Sequence, residues 1–275
     1  MQYKTSQQAV ISFPLGGIGA GCIGLAGNGA LVDWEIFNHA DKTRLNGVSH
    51  FAVRAETDGK VLDFRLLNGD LPPPYIGQAT PVAGFHGMGW GPAEEHCAAW
   101  PHFRKNTFQG TFPVASLRFS DENFPGRPVL TAWSVLIPGN SRDSSLPAAF
   151  FEITIENPMD YVIDYTVTGV LANPWARKNV LRHNYVADEK LTVYSGDLTG
   201  ELSLSLCDTG DFRTSGQTCS YRGVWRDPYE SFLNDMMAGG LLHERFYTEA
   251  PPKPKREFGV LAAHFPLKKK PESVK

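Results

Sequence analysis

The sequence predicts an all-β protein: a two-sheet antiparallel β-sandwich with long loops and at most a short helix. Three observations carry this. Apolar side chains recur at every second position in segment after segment, the period of a strand with one buried face. Helical spacing is scarce. The 27 glycines and 20 prolines supply the turns that many short strands require. Strands that follow one another without intervening helices point to two packed antiparallel sheets.

In chain order, Ser49–Ala55 and Val61–Leu67 are the first clear strand candidates. From Leu71 to Phe108 no period holds. Pro72-Pro73-Pro74 and many glycines predict a long loop, of the kind that carries function or meets an interface. Ala115, Leu117 and Phe119 then alternate with Ser116 and Arg118. Val129, Thr131, Trp133, Val135 and Ile137 form a long alternating set that places Trp133 in the core. Phe151, Ile153 and Ile155 alternate with Glu152, Thr154 and Glu156. Asn157-Pro158-Met159-Asp160 has turn chemistry, and Tyr161, Ile163, Tyr165 and Val167 follow, so the pair reads as a hairpin. Leu181–Ala187, Leu191–Ser195, and Leu202, Leu204 and Leu206 are further strands. Glu230–Ala238 is the one short helix expected, and Pro251-Pro252-Lys253-Pro254 is a stiff connector. Phe258–Phe265 is the last strand candidate.

Composition narrows the function. Hydrophobic residues make up 42% and charged residues 20% of 275 residues, a globular composition rather than a disordered one. A net charge of −3 offers no basic face for phosphate, so no nucleic acid partner is expected. The run Lys268-Lys269-Lys270 reads as a solvated tail. Cys22, Cys97, Cys207 and Cys219 form no CxxC pair and are too scattered for a disulfide framework. No basic segment with an apolar run opens the chain, and no stretch of about 20 apolar residues could span a bilayer. A reducing cytoplasm with free thiols is the expected setting.

The most distinctive segment is Phe13-Pro14-Leu15-Gly16-Gly17-Ile18-Gly19-Ala20-Gly21-Cys22-Ile23-Gly24. Gly19, Gly21 and Gly24 match GxGxxG, but no helix-rich stretch follows and no βαβ alternation appears, so the dinucleotide reading fails. A tightly packed extended segment is expected instead, and no cofactor. His86, His96, Cys97 and His102 match no metal-ligand spacing and read as loop histidines, with no metal expected. Trp90 and Trp100 lie in the irregular region, where a ring is free to stack on a sugar. Glycoside hydrolysis requires two carboxyl groups flanking the bond. Glu94-Glu95 are loop neighbours and Asp143 stands alone, so no catalytic pair can be assigned. There is no GxSxG elbow and no P-loop.

Pro14 through Gly24, followed by Trp34-Glu35-Ile36-Phe37-Asn38, resembles the opening of glycoside hydrolase family 116, which includes non-lysosomal glucosylceramidases and bacterial β-glucosidases. Trp133-Ser134-Val135-Leu136-Ile137-Pro138, then Asp143-Ser144-Ser145-Leu146-Pro147-Ala148, then Phe151 to Asn157, is similar to that family's strand, serine-rich loop and following strand. One departure is Leu31-Val32-Asp33 before Trp34, where the family usually has basic residues. The resemblance implies a noncatalytic amino-terminal β-sandwich. Its partner would be a carboxy-terminal (α/α)6 barrel holding the glutamate nucleophile and aspartate acid/base of a retaining mechanism. No position here matches either residue, so none is assigned a catalytic role and the chain alone is expected to be inactive. The implied role is a structural and interface domain of a β-glucosidase or glucosylceramidase-like enzyme of carbohydrate or glycolipid metabolism, meeting a β-glucoside only indirectly. The alternative is a freestanding carbohydrate-binding module. Trp34, Glu35, Asn38, Trp90, Trp100, Asp143 and Ser144 are the candidates for a substrate rim or domain interface. Leu261 to Phe265, Leu267 and Pro271-Glu272-Ser273 resemble the family's penultimate strand and turn. Residues 1–275 are therefore expected to be one domain lacking its final strand, with Phe258–Phe265 unpaired on one side.

Overall fold

The computed structural model describes residues 1–4, 7–42, 45–70, 94–175, 184–187, 189–195, 200–207, 212–217, 227–243 and 258–268. Its strands begin with β1 (Gln2–Lys4), β2 (Ser12–Leu15), β3 (Cys22–Ala26), β4 (Leu31–Glu35), β5 (His50–Thr57) and β6 (Lys60–Gly69). Then come β7 (His102–Phe103), β8 (Lys105–Thr111), β9 (Val114–Ser120), β10 (Arg127–Trp133), the one-turn α1 (Ser141–Ser144) and β11 (Phe150–Glu156). The rest are β12 (Ile163–Ala172), β13 (Asn184–Ala187), β14 (Lys190–Tyr194), β15 (Glu201–Ser205), β16 (Arg213–Gln217), α2 (Asp227–Ala238) and β17 (Phe258–Leu267). The fold is all-β, of the antiparallel sandwich class that the alternating segments predict, and the two α-helices among the described residues are short.

Two compact units share the chain. The first holds Met1–Leu45, Arg65–Glu122 and Arg127–Ile155; the second holds Asn46–Phe64, Asn123–Gly126 and Glu156–Lys275.

In the first unit, β1-β8-β9-β10-β11 form one sheet and β2-β3-β4 another. Phe108, Ala115, Leu117, Phe119, Leu130 and Ala132 bury one face of the larger sheet. Phe13 of the smaller sheet packs on Phe108 with ring centroids 6.3 Å apart. The strand at Lys105–Thr111 lies in the stretch expected to be irregular, because its inward set includes a polar residue, Asn106, beside Phe108. Residues 71–93 of that stretch lie outside the described residues. The long set expected from Val129 to Ile137 stops at Trp133. Its buried face is the other one: Leu130 pairs with Leu117 across the ladder, while Trp133 is half-buried and stacks on Phe150 at 5.8 Å.

In the second unit, β16-β17-β12-β5 run side by side, with the first half of β6 beyond β5. β17 is buried almost continuously, not alternately. Phe232 of α2 covers one face, meeting Phe258, Phe64 and His50 edge-on at 5.9–6.4 Å. Leu191 of the β13-β14-β15 sheet covers the opposite face, where a Cβ at Gly259 would lie 2.4 Å from Leu191 Cδ1. A strand covered on both faces loses the period-two signature.

Two expectations are corrected here. β11 and β12 do not form a hairpin: β11 pairs with β10, and β12 sits between β5 and β17. With both its edges taken, β12 has no place for β11. The Asn157 turn instead carries the chain from one sheet to another, with Asn157 Nδ2 donating to the carbonyls of Tyr161 and Leu267 at 2.9 and 2.8 Å. Nor is the strand at Phe258–Phe265 open on one side. β17 pairs with β12 along its whole length and with β16 from Val260 to His264.

Candidate functional site

The glycine segment is not one extended run. Leu15 closes β2, residues 16–21 turn, and Cys22 opens β3, which pairs back with Leu15 opposite Ile23. This turn lies directly on the serine-rich loop around α1. A Cβ on Gly17 would stand 2.3 Å from the Leu146 carbonyl oxygen and 2.5 Å from the Ser145 carbonyl carbon, so only glycine lets the two backbones meet. Gly16 N–H donates to Ser134 Oγ and Ile18 N–H donates to the Ser144 carbonyl, both at 2.8 Å.

Ser144 is buried and holds the loop from inside. Its Oγ accepts from Ile137 N–H at 2.9 Å and donates to the Ile137 carbonyl at 3.2 Å. Asn140 caps α1, with Oδ1 accepting from Asp143 N–H at 3.1 Å and Nδ2 donating to Asp143 Oδ2 at 2.6 Å. Asp143 is thus a capping partner that braces the loop, in a cap geometry familiar from Asn-initiated helices.

Beside the glycine turn, where Cys22 pairs with Glu35 and a Cβ on Gly21 would stand 2.7 Å from the Glu35 carbonyl oxygen, lies a small ionic cluster. Lys42 Nζ is 2.8 Å from Glu35 and 3.7 Å from Asp33, and Ser12 Oγ donates to Asp33 at 2.7 Å. The Lys42 ammonium, with the Asp41 N–H, holds the Glu35 carboxyl below its ordinary range. Burial and the neighbouring Glu35 push the Cys22 thiol up, so this cysteine is not an activated nucleophile. Trp34 is buried, with Nε1 donating to the Leu31 carbonyl at 3.1 Å. It is a core residue and presents no platform to a sugar. Asn38 is exposed, in a left-handed conformation with φ 55°. Trp100 is half-buried, and its carbonyl faces His102 Nδ1 at 2.9 Å. Trp90 lies outside the described residues. Of the seven candidates, Asp143 and Ser144 share one loop and Trp34, Glu35 and Asn38 share one hairpin arm.

The family model for beta-glucosidase 2, glycosyl-hydrolase family 116 N-term, matches residues 12–270. The chain belongs to this family. No curated protein matches it. The match covers both motif segments, so the resemblance of the glycine turn and the serine-rich loop extends over nearly the whole chain. In this family 116 domain those segments are physical neighbours, although more than 100 residues separate Gly17 from Leu146.

The family 116 domain also holds a polar row in its second unit that sequence reasoning missed. Register places Arg54, Thr166, His264 and Arg213 on adjacent strands in one line. Arg54 is fully buried; it meets Glu56 at 3.0 Å, donates to Thr166 Oγ1 at 2.9 Å and to the Met236 carbonyl at 3.3 Å, and donates to the Gly240 carbonyl. Thr166 Oγ1 lies 2.9 Å from His264 Nδ1, and Ser215 Oγ lies 2.7 Å from His264 Nε2. Desolvation by burial, with Arg54 and Arg213 nearby, pushes the His264 imidazole down to about 4, so it is neutral at pH 7. Beside the row is a pocket of about 270 Å³ with Glu56, Asp164 and Arg213 in its lining. Glu56 already bonds Arg54 and the Gly240 N–H, the latter at 3.0 Å. Only sheet register could reveal this row, because its members come from four strands scattered over 200 residues.

Among the described residues, no group of three His, Cys, Asp or Glu side chains could hold a metal ion. His96 and Cys97 lie at the end of a 3-10 turn; His96 is pushed down by burial, and Cys97 is buried with φ 51°. His102 Nε2 instead pairs with Asp70 at 2.6 Å.

Proposed function

We propose that the chain is the noncatalytic structural and interface domain of a retaining β-glucosidase or glucosylceramidase-like glycoside hydrolase acting on carbohydrate or glycolipid. Residues 1–275 would be its amino-terminal domain, and the chemistry would belong to a carboxy-terminal (α/α)6 catalytic domain. The observation that carries this reading is the match to the family's amino-terminal model over residues 12–270. The geometry supports it. Asp143 caps a helix and Glu35 is tied to Lys42, so these two carboxylates brace the fold; Glu56, which lines the pocket with Asp164, is tied to Arg54. Trp34 is buried, so its ring offers no open face to a sugar. The thiols of Cys22 and Cys207 fit a reducing cytoplasmic setting. Among the described residues no helix is long and apolar enough to cross a membrane.

The test is an assay of the purified chain on aryl β-glucosides from pH 4 to 8. No turnover is expected. Turnover that persists through purification and vanishes on changing one carboxylate of this chain would overturn the reading.

A further inference from the structure

Exposed apolar side chains in the first unit gather where the glycine turn meets the serine-rich loop. Ile18, Phe112, Val114, Ile137 and Leu146 are each 43–59% exposed. The backbone joins them into one rim. Ile18 N–H bonds the Ser144 carbonyl two residues before Leu146, and Ser144 Oγ bonds the backbone of Ile137. Ser134, which accepts from Gly16 N–H, donates its own N–H to the Pro113 carbonyl between Phe112 and Val114 at 3.4 Å. Phe112 also rests against Phe13 at 6.1 Å.

Charge is depleted within the segments that form this rim, with the Glu35–Lys42 pair at its β4 border. In segments 16–21, 112–114, 134–140 and 141–149 the ionisable side chains are Arg142 and Asp143 alone, and Asp143 is bonded to Asn140. Apolar exposure with charge depletion is the composition of an interface core. The loops are already braced by Ser134, Ser144 and the Gly17 contact, so docking them would lose little conformational freedom.

We propose that this rim is the surface on which the catalytic domain of the same enzyme docks; this rests on the chain being that enzyme's interface domain. Area favours a tethered partner over a second copy. The five side chains expose on the order of 400 Å², within the roughly 300–600 Å² of a monomer's largest apolar patch. A contact between domains of one chain needs about 300–750 Å² a side, because the tether supplies an effective concentration in the millimolar range. A free dimer needs about 800 Å² a side.

The experiment is hydrogen exchange on the chain alone and on the two-domain protein made by joining it to a family 116 catalytic domain. Amides at 16–21, 134–140 and 144–148 should exchange at least tenfold more slowly in the two-domain protein. Ile18→Asp with Leu146→Asp should abolish that slowing, whereas Met237→Asp, an exposed position on α2 of the second unit, should leave it intact. Both variants are at exposed positions, and unchanged urea midpoints of the isolated chain would confirm folding. Protection that appears on another surface and ignores the rim variants overturns the rim but keeps the interface role. Protection nowhere on the chain overturns both. Rim protection that rises with concentration in the chain alone assigns the rim to a second copy and overturns the proposal.

Discussion

Acidification should act on the second unit through two buried imidazoles. His50 and His264 are each 6% exposed, and burial pushes both from an ordinary 6.5 to about 4. For His264 the guanidinium groups of Arg54 and Arg213 add to the effect. The unfolded chain takes up a proton on each ring as pH falls through about 6.5, whereas the folded chain refuses it until about 4. Stability from this source is therefore complete above 6.5, is lost between 6.5 and 4, and levels off below. By linkage each imidazole should cost about 2 kcal/mol between pH 7 and pH 5, so the pair should cost about 4 kcal/mol. That is a large share of a typical margin of about 5–15 kcal/mol. His96, also pushed down by burial, acts in the same direction. Most carboxylates titrate below this window, which isolates the histidines. Urea unfolding at half-unit steps from pH 7 to pH 5 should show the midpoint falling throughout, and His264→Gln should remove roughly half of the pH dependence whatever it does to the absolute midpoint. Equal midpoints at pH 7 and pH 5, or an unaltered slope in the variant, would show that the imidazoles are not held neutral by their surroundings.

Two substitutions test the packing directly. Gly17→Ala places a methyl group 2.3 Å from a backbone oxygen; it should destabilise the chain by about 1–3 kcal/mol in urea titration while Gly19→Ala, which meets nothing within 4 Å, is read beside it for the strain of its positive φ alone. Arg54→Met should cost about 3–5 kcal/mol by leaving Glu56 without its cation, and the double variant with Glu56→Gln should recover part of that in the same titration.

Legibility in the sequence followed the number of faces each strand buries. β9 has one buried face, and Ala115, Leu117 and Phe119 announce it. β10 shows apolar or bulky residues on both faces, so Val129, Thr131 and Trp133 suggest the wrong one. The ladder partner Leu117 decides for Leu130, and ladder partners are not written in local sequence. β11 and β12 are correct as strands and wrong as a pair, since a turn sequence fixes a reversal of the chain but not which sheet receives it. The edge expected at β17 failed for the same reason: β16 returns from a segment, Arg213–Gln217, whose composition of Arg, Thr, Ser, Gly and Gln carries no alternation at all.

The candidate site divides along a similar line. The motif segments were legible because they carry a pattern that does not depend on the partner strand: a run of glycines, and a serine-rich loop. Their meeting in space was not legible, because the Gly17–Leu146 contact spans more than 100 residues. Trp34 shows the limit of reading an aromatic ring from its neighbourhood. Its motif suggested a surface role, yet its indole closes on the Leu31 carbonyl inside the unit. The proposed docking surface is instead made of residues with no chemistry of their own, Ile18, Ile137 and Leu146, whose meaning depends on being exposed. Exposure is a property of the whole fold. A search for reactive groups passes over such residues, and a domain whose work is to hold another domain would be built from them.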